Sequence, residues 1–217
     1  VNTMYLEKLI LYNKLLTQRN ALLKRFAESG RTDKTLLDTY NVQLAESGQY
    51  IYQIRKDAVS QLEPVFQQHY ATLSLQREQV RFEYESQLHG QNYYQLLDKY
   101  TDRDIMLQRT DCGIHKDDLS FYLGDAKLKK FGSQGQQKTF VISLKLAEYS
   151  YIKQHNLLHP ILLIDDIYDK LDEDRSKCLS QYIMQEPFKQ VFITHTSQKQ
   201  VERYMGSDIA DVQIFAL

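Results

Sequence analysis

The chain has 217 residues, 42% of them hydrophobic, enough for one good core or for one core plus a helical appendage. Its 27 Lys and Arg residues stand against 28 Asp and Glu residues, so no global basic field draws nucleic acid in from a distance, and any DNA contact must be local or depend on dimerisation. No apolar run approaches the roughly 18 residues of a membrane span, and the first residues lack a signal-peptide layout, so a cytoplasmic protein with no membrane partner is expected.

The chain opens directly on a helical pattern, as if its beginning had been cut away. From Met4 to about Glu28, Leu6, Leu9, Ile10, Leu15, Leu16, Leu22, Leu23 and Phe26 recur near a 3.6-residue period. Ser29-Gly30-Arg31-Thr32-Asp33 supplies a stop glycine and a capping side chain, and a second, longer periodic run follows from Leu36 through Leu44, Ile51, Val59 and Phe66. So short a connection implies an antiparallel helical-hairpin arm. After Ser74 the period changes, because Val80, Phe82 and Tyr84 alternate with Arg81, Glu83 and Glu85 as in a half-buried strand. A helix over about 92–104 then leads into a loop.

Beyond Asp117 strands and helices alternate: strand 119–123, helix 134–153, an all-apolar strand 161–164, helix 172–184, a buried strand 191–194 and a last strand 212–215. Such alternation argues for an α/β protein with a mostly parallel sheet covered on both faces. The expected division is a helical arm over 1–110 and an α/β part over 111–217. Cys112 and Cys178 lie far apart without CxxC spacing, which fits two buried thiols in a reducing compartment better than a disulfide framework or zinc site. His155 and His159 stand four apart, but Pro160 and the lack of a nearby third ligand argue against a metal site.

The strongest chemical signal is Ile161-Leu162-Leu163-Ile164-Asp165-Asp166, followed by Asp169-Lys170-Leu171-Asp172. A buried parallel strand delivers its terminal carboxylates to the sheet edge where open α/β proteins bind ligands. In a P-loop-type ATPase, Asp165 would hold Mg²⁺ through water and Asp166 would orient the attacking water. An acid in such a place can also be a plain helix cap. The second signal is Phe131-Gly132-Ser133-Gln134-Gly135-Gln136-Gln137-Lys138-Thr139 at a helix start, either a phosphate cradle or an ordinary start capped by Ser133. The third is Val191-Phe192-Ile193-Thr194-His195, whose imidazole can reach a γ-phosphate or its attacking water, or can be a lone surface histidine. The pattern G-x-x-x-x-G-K-[ST] is missing from all 217 residues, although Gly132 to Thr139 comes within one residue of it, with Gln137 in place of the second glycine.

Ser133-Gln134-Gly135-Gln136-Gln137, Leu163-Ile164-Asp165-Asp166, Asp169-Lys170-Leu171-Asp172 and Thr194-His195 resemble, in order and spacing, the signature, Walker B, D-loop and switch-histidine segments of ABC-type ATPase heads. Tyr12-Asn13-Lys14, Gln18-Arg19-Asn20-Ala21-Leu22-Leu23-Lys24 and Gly113-Ile114-His115-Lys116-Asp117-Asp118-Leu119 narrow this resemblance to the bacterial RecF family along nearly the whole chain. Heads of that family begin with a strand, a Walker A loop and a Q-loop, so the resemblance implies a chain lacking roughly its first third.

The resemblance implies an ATP-dependent homodimeric clamp on DNA, acting at gaps and single-strand/double-strand junctions and helping RecO and RecR load recombinase. It also implies ATP and Mg²⁺ as cofactors of the complete protein, with neither bound tightly by this chain alone. Ser133, Gln134, Gly135 and Gln136 would cap the nucleotide of the opposite subunit. Asp165, Asp166 and His195 would serve the subunit's own nucleotide, and Asp169, Leu171 and Asp172 would form the D-loop. Gln134 departs from the first glycine of the general ABC signature, and Asp166 from its usual glutamate. Two other readings compete: a non-enzymatic module binding DNA or protein through its arm and Lys127, Lys129 and Lys130, and a small self-contained NTPase using Lys138 and Thr139.

Overall fold

The structure, a computed structural model, describes residues 2–155, 159–185, 188–205 and 212–215. It divides into two compact units, Val1–Ser60 with Glu83–Ser120 and Gln61–Phe82 with Phe121–Leu217. Neither unit is continuous, so the division differs from the expected boundary between residues 110 and 111.

The first unit begins with α1 (Thr3–Ser29), capped by the Asn2 side chain, which accepts the Tyr5 N–H at 3.0 Å. Gly30 ends the helix at φ 66°, its N–H donating to the Phe26 carbonyl at 2.9 Å in a conformation that a Cβ disfavours. Asp33 then starts α2 (Lys34–Leu73) by accepting the Leu36 N–H at 2.9 Å. Lys8 meets Glu46 at 2.6 Å and Arg19 meets Asn41 at 2.8 Å, so partner numbers fall along α2 as they rise along α1. That is the antiparallel hairpin expected from the short turn.

Tyr12, Leu15, Leu44, Ile51 and Tyr52 share a core with Leu96 and Leu97 of α3 (Tyr93–Leu107). Inside this unit Arg19 is fully buried and donates to Asp104 and Thr110, each at 2.7 Å, as well as to Asn41. A charge removed from water in this way needs such partners. Burial raises the Asp104 carboxyl above its ordinary value, against the opposing charge of Arg19.

Strands β1 (Val80–Glu85), β2 (Asp118–Leu123) and β3 (Ala126–Lys127) form a sheet in that order, with β2 and β3 antiparallel. In the second unit Phe66, Phe82, Phe121 and Phe140 make a ring cluster, the Phe66 and Phe140 centroids lying 4.6 Å apart. Phe66, Tyr70 and Leu73 belong to this unit, which is why the last turns of α2 leave the arm and join the α/β part. Conversely, Cys112 and Ile114 pack in the arm's core, although they lie beyond the expected boundary.

A short helix, α4 (Leu128–Phe131), precedes α5 (Gln134–His155). Next come β4 (Leu162–Ile164), α6 (Glu173–Ile183), β5 (Val191–Ile193) and α7 (Gln198–Met205). Strands β4 and β5 run parallel, Leu162 opposite Val191 and Ile164 opposite Ile193, over a core of Ile142, Leu146, Tyr149, Leu179 and Ile183.

Three expectations need correction. The parallel pair is buried on one face, with Leu162 and Ile164 inside, whereas Leu163 is 61% and Phe192 51% exposed. Alternate residues of a strand point to opposite faces, and no described element covers the second one. Residues 212–215 form no strand, and Val212, Ile214 and Phe215 are exposed; apolar alternation makes a strand only where a neighbouring strand accepts its backbone. Cys112 is fully buried, with its thiol pushed up to about 12 by burial, but Cys178 is half-buried, its thiol donating to the Thr72 carbonyl at 3.3 Å. Among the described residues no helix is long and apolar enough to cross a membrane.

Candidate functional site

Because β4 and β5 are parallel, both deliver the residues that follow them to the same sheet edge. Thr194 fastens that edge. Its N–H donates to the Ile164 carbonyl at 3.1 Å, and its carbonyl accepts the Ile167 N–H at 3.3 Å. Its hydroxyl oxygen accepts the Asp166 N–H at 3.0 Å and donates its proton to Asp165 Oδ1. Asp165 and Asp166 are both exposed, and Asp166 sits at φ 47°, a left-handed conformation that, glycine aside, Asp and Asn tolerate best.

From Asp166 the chain folds tightly back on itself. The Asp169 N–H donates to the Asp166 carbonyl at 3.0 Å, the Leu171 N–H to the Tyr168 carbonyl at 3.3 Å, and Lys170 takes a second left-handed turn at φ 63°. Leu171 packs against the core beside Ile167 and Tyr168, while the Asp169 carboxylate lies at the surface 3.8 Å from the Lys170 ammonium. Asp172 caps α6, accepting the Arg175 N–H at 2.8 Å.

Residues 133–136 start α5 beside this loop. Ser133 and Gln136 form a reciprocal capping pair: the Ser133 N–H donates to Gln136 Oε1 at 2.8 Å and the Gln136 N–H to Ser133 Oγ at 3.2 Å. Gln134 is exposed at the first helical position. A Cβ on Gly135 would lie 3.0 Å from the Lys170 carbonyl oxygen, so glycine lets the helix start approach the 169–172 loop closely. The Lys138 ammonium donates to the Asp165 carbonyl at 3.2 Å. Segments 133–138, 165–172 and Thr194 therefore form one neighbourhood.

This geometry overturns the self-contained NTPase reading. Lys138 and Thr139 lie inside α5 rather than at the end of a phosphate loop launched from a strand, and α4 precedes them. Thr139 is buried, its hydroxyl donating to the Gly135 carbonyl at 2.8 Å and accepting from Arg175 Nη1 at 3.0 Å, so it cannot serve a metal ion.

His195 follows Thr194, yet its described partners are elsewhere. Nε2 donates to Gln200 Oε1 at 2.5 Å, the ring meets Tyr168 edge-on with centroids 5.3 Å apart, and Nδ1 is buried without a hydrogen-bond partner among the described residues.

Two further residues join the neighbourhood that motif spacing did not single out. Glu78, just beyond α2, accepts from Tyr70 at 2.5 Å, Gln136 Nε2 at 3.0 Å and Arg175 Nη2 at 2.7 Å. Burial pushes the Glu78 carboxyl up, but these hydrogen bonds and the guanidinium charge outweigh it and hold the group below its ordinary value. Burial likewise lowers the Arg175 guanidinium, and Glu78 more than restores it. Arg175 Nε also lies 3.3 Å from Asp172 Oδ2. The signal in the sequence is faint, an arginine at i+3 from an N-cap, and nothing local points to Glu78.

The fold and site together define part of an ABC-type ATPase head, joined to an antiparallel helical arm. No family model matches the chain. It is 42% identical over 217 residues to the DNA replication and repair protein RecF of Flavobacterium johnsoniae, covering 100% of this chain and 60% of that protein. It is 39% identical over 213 residues to the DNA replication and repair protein RecF of Cytophaga hutchinsonii, covering 98% and 56%. A solved structure of the recombination mediator protein RecF-ATP in the RecFOR pathway matches at a TM-score of 0.76 and 25% identity, covering 91% of this chain and 54% of that one. Its RecF-ATPrS counterpart gives 0.75 and 28%, covering 90% and 54%. Along nearly its whole length the chain is similar to RecF proteins, and it spans about 60% or less of the length of these relatives.

Proposed function

We propose that the protein is a RecF-type DNA repair and recombination ATPase, in which this chain supplies one half of a nucleotide site shared between two subunits. The observation that carries this reading is the acid pair Asp165-Asp166 at a parallel sheet edge, clamped by Thr194 and adjoining the start of α5. A Walker A segment outside these 217 residues would grip the phosphates. Asp166 would then orient the attacking water, with His195 beside it, while Ser133, Gln134, Gly135 and Gln136 at the positive end of α5 would meet the partner subunit's nucleotide. Asp169, Leu171 and Asp172 would line the contact between subunits.

The donor set suits Mg²⁺. Asp165 is an exposed carboxylate with an oxygen donor, Thr194, beside it, and the described residues hold no group of three or more His, Cys, Asp or Glu that could hold a metal ion. Mg²⁺ is commonly held by one or two carboxylates, water and substrate phosphates, and such an ion would neutralise charge developing on the phosphates. DNA as a partner is supported by Lys127, Lys129 and Lys130, all exposed on the segment leading into the site. Cooperation with RecO- and RecR-type mediators is part of the same proposal, supported by the likeness to the recombination mediator protein RecF of the RecFOR pathway.

The test is Mg-ATP binding and hydrolysis by the complete protein, meaning this chain preceded by its Walker A segment. Asp166→Asn should retain nucleotide and lose roughly a hundredfold or more in turnover. Calorimetry on the 217-residue chain alone should show no micromolar ATP site. Wild-type turnover in Asp166→Asn would sink the reading.

A further inference from the structure

Arg175 spreads its guanidinium over three separate segments. Nη2 bonds Glu78, Nη1 bonds Thr139 in the first turns of α5, and Nε pairs with Asp172 at the end of the 169–172 loop. Its side chain is 9% exposed and that of Glu78 16%. Glu78 in turn holds Tyr70 of α2 and the Gln136 side chain, and Gln136 Oε1 holds the Ser133 backbone N–H. The Gln136 amide is thus gripped at both ends, so a displacement of Glu78 passes through one side chain to the first residue of the nucleotide-facing segment. Packing alone does not call for a charge pair here, since apolar side chains of like volume serve as well or better. What a planar, five-donor cation offers is a fixed mutual geometry for its partners.

We propose that Glu78 and Arg175 are positioning residues that lock the Ser133–Gln136 segment to the Asp169–Asp172 loop and to the Gln61–Leu73 end of α2, so that the two nucleotide-facing segments move as one body. The proposal rests on the shared-site reading above. Neither residue touches nucleotide. They act through Gln136 and Asp172, and a displacement of the inner end of α2 is transmitted to both segments together.

Two measurements test it. The first is hydrogen exchange on this chain, which needs no nucleotide: Glu78→Gln should speed exchange over 132–137 and 169–176 together while leaving 93–107 unchanged. Unaltered exchange at both segments, or a change at one alone, would overturn the proposal. The second uses the complete protein. Glu78→Gln should bind Mg-ATP within about twofold of wild type yet lose roughly tenfold in ATP-dependent dimerisation and turnover. A purely structural role would instead scale binding and turnover equally with the folded fraction. Should Glu78→Gln fail to fold, Arg175→Lys, which keeps the charge but not the fork, and Tyr70→Phe are read in the same way. Wild-type protein that neither dimerises nor hydrolyses with ATP would remove the shared-site reading, while the exchange experiment would still decide whether the two segments are coupled.

Discussion

The hydroxyl of Thr194 donates to the Asp165 carboxylate, and its oxygen accepts the Asp166 N–H at 3.0 Å, so the residue that follows β5 sets the posture of both acids that follow β4. Thr194→Val keeps the shape and the backbone ladder but removes both side-chain bonds. A cost of about 1–2 kcal/mol in urea unfolding is expected, together with a loss of turnover in the complete protein that exceeds any loss of ATP affinity. Equal stability and turnover would show that the acids hold their posture without the clamp.

His69 is buried between Tyr182 and Ser150, its two ring nitrogens 2.9 and 3.0 Å from their hydroxyls, and burial depresses its pKa to about 4. A folded pKa below the unfolded 6.5 means that the neutral ring is favoured in the native state. Its contribution is therefore present above pH 6.5 and is lost as pH falls through about 4, amounting to about 3 kcal/mol when complete. Urea titrations over that window should show a smaller pH dependence for His69→Gln than for wild type. Identical slopes would place the acid sensitivity in other groups.

Gly113 opens one of the segments that resemble the RecF family, and its role is spatial. It sits at φ 124°, and a Cβ there would come within 1.9 Å of the Tyr93 hydroxyl, which itself bonds Tyr12 at 2.7 Å. Gly113→Ala should cost about 3 kcal/mol or more, because strain and overpacking add. A thermal melt of the variant matching wild type would contradict this.

Lys129 and Lys130 are exposed beside Phe131, which is itself 64% exposed. If each meets a phosphate, Lys129→Ala with Lys130→Ala should weaken DNA binding uniformly across sequences and flatten its logarithmic salt slope by about 0.9 for each phosphate no longer neutralised. An unchanged slope would move the DNA-binding surface elsewhere.

Much of the fold was legible from local pattern. The Gly30 stop, the helices α1 and α2 and the alternation in β1 are decided within a few residues of themselves, and so appear where periodicity and capping chemistry locate them, although Leu6, Ile10 and Leu36 of the expected apolar stripes are exposed. The residues of the candidate site could be singled out for the same reason. An apolar strand ending in two acids, and a Ser-x-x-Gln helix start, announce themselves locally.

What tertiary structure alone decided are relations between distant segments. Sequence could not say that Phe66 and Tyr70 would leave the arm for the Phe140 cluster, that Leu163 and Phe192 would be exposed, or that residues 212–215 would form no strand. Nor could it pair Glu78 with Arg175 and Gln136, or give Thr194 both acids. Short-range periodicity and capping are written into consecutive residues, because backbone geometry repeats every few positions. Whether a carboxylate finds a guanidinium across an intervening helix and strand depends on how those elements pack, and that information resides in the sum of many weak interactions rather than in any one stretch of chain.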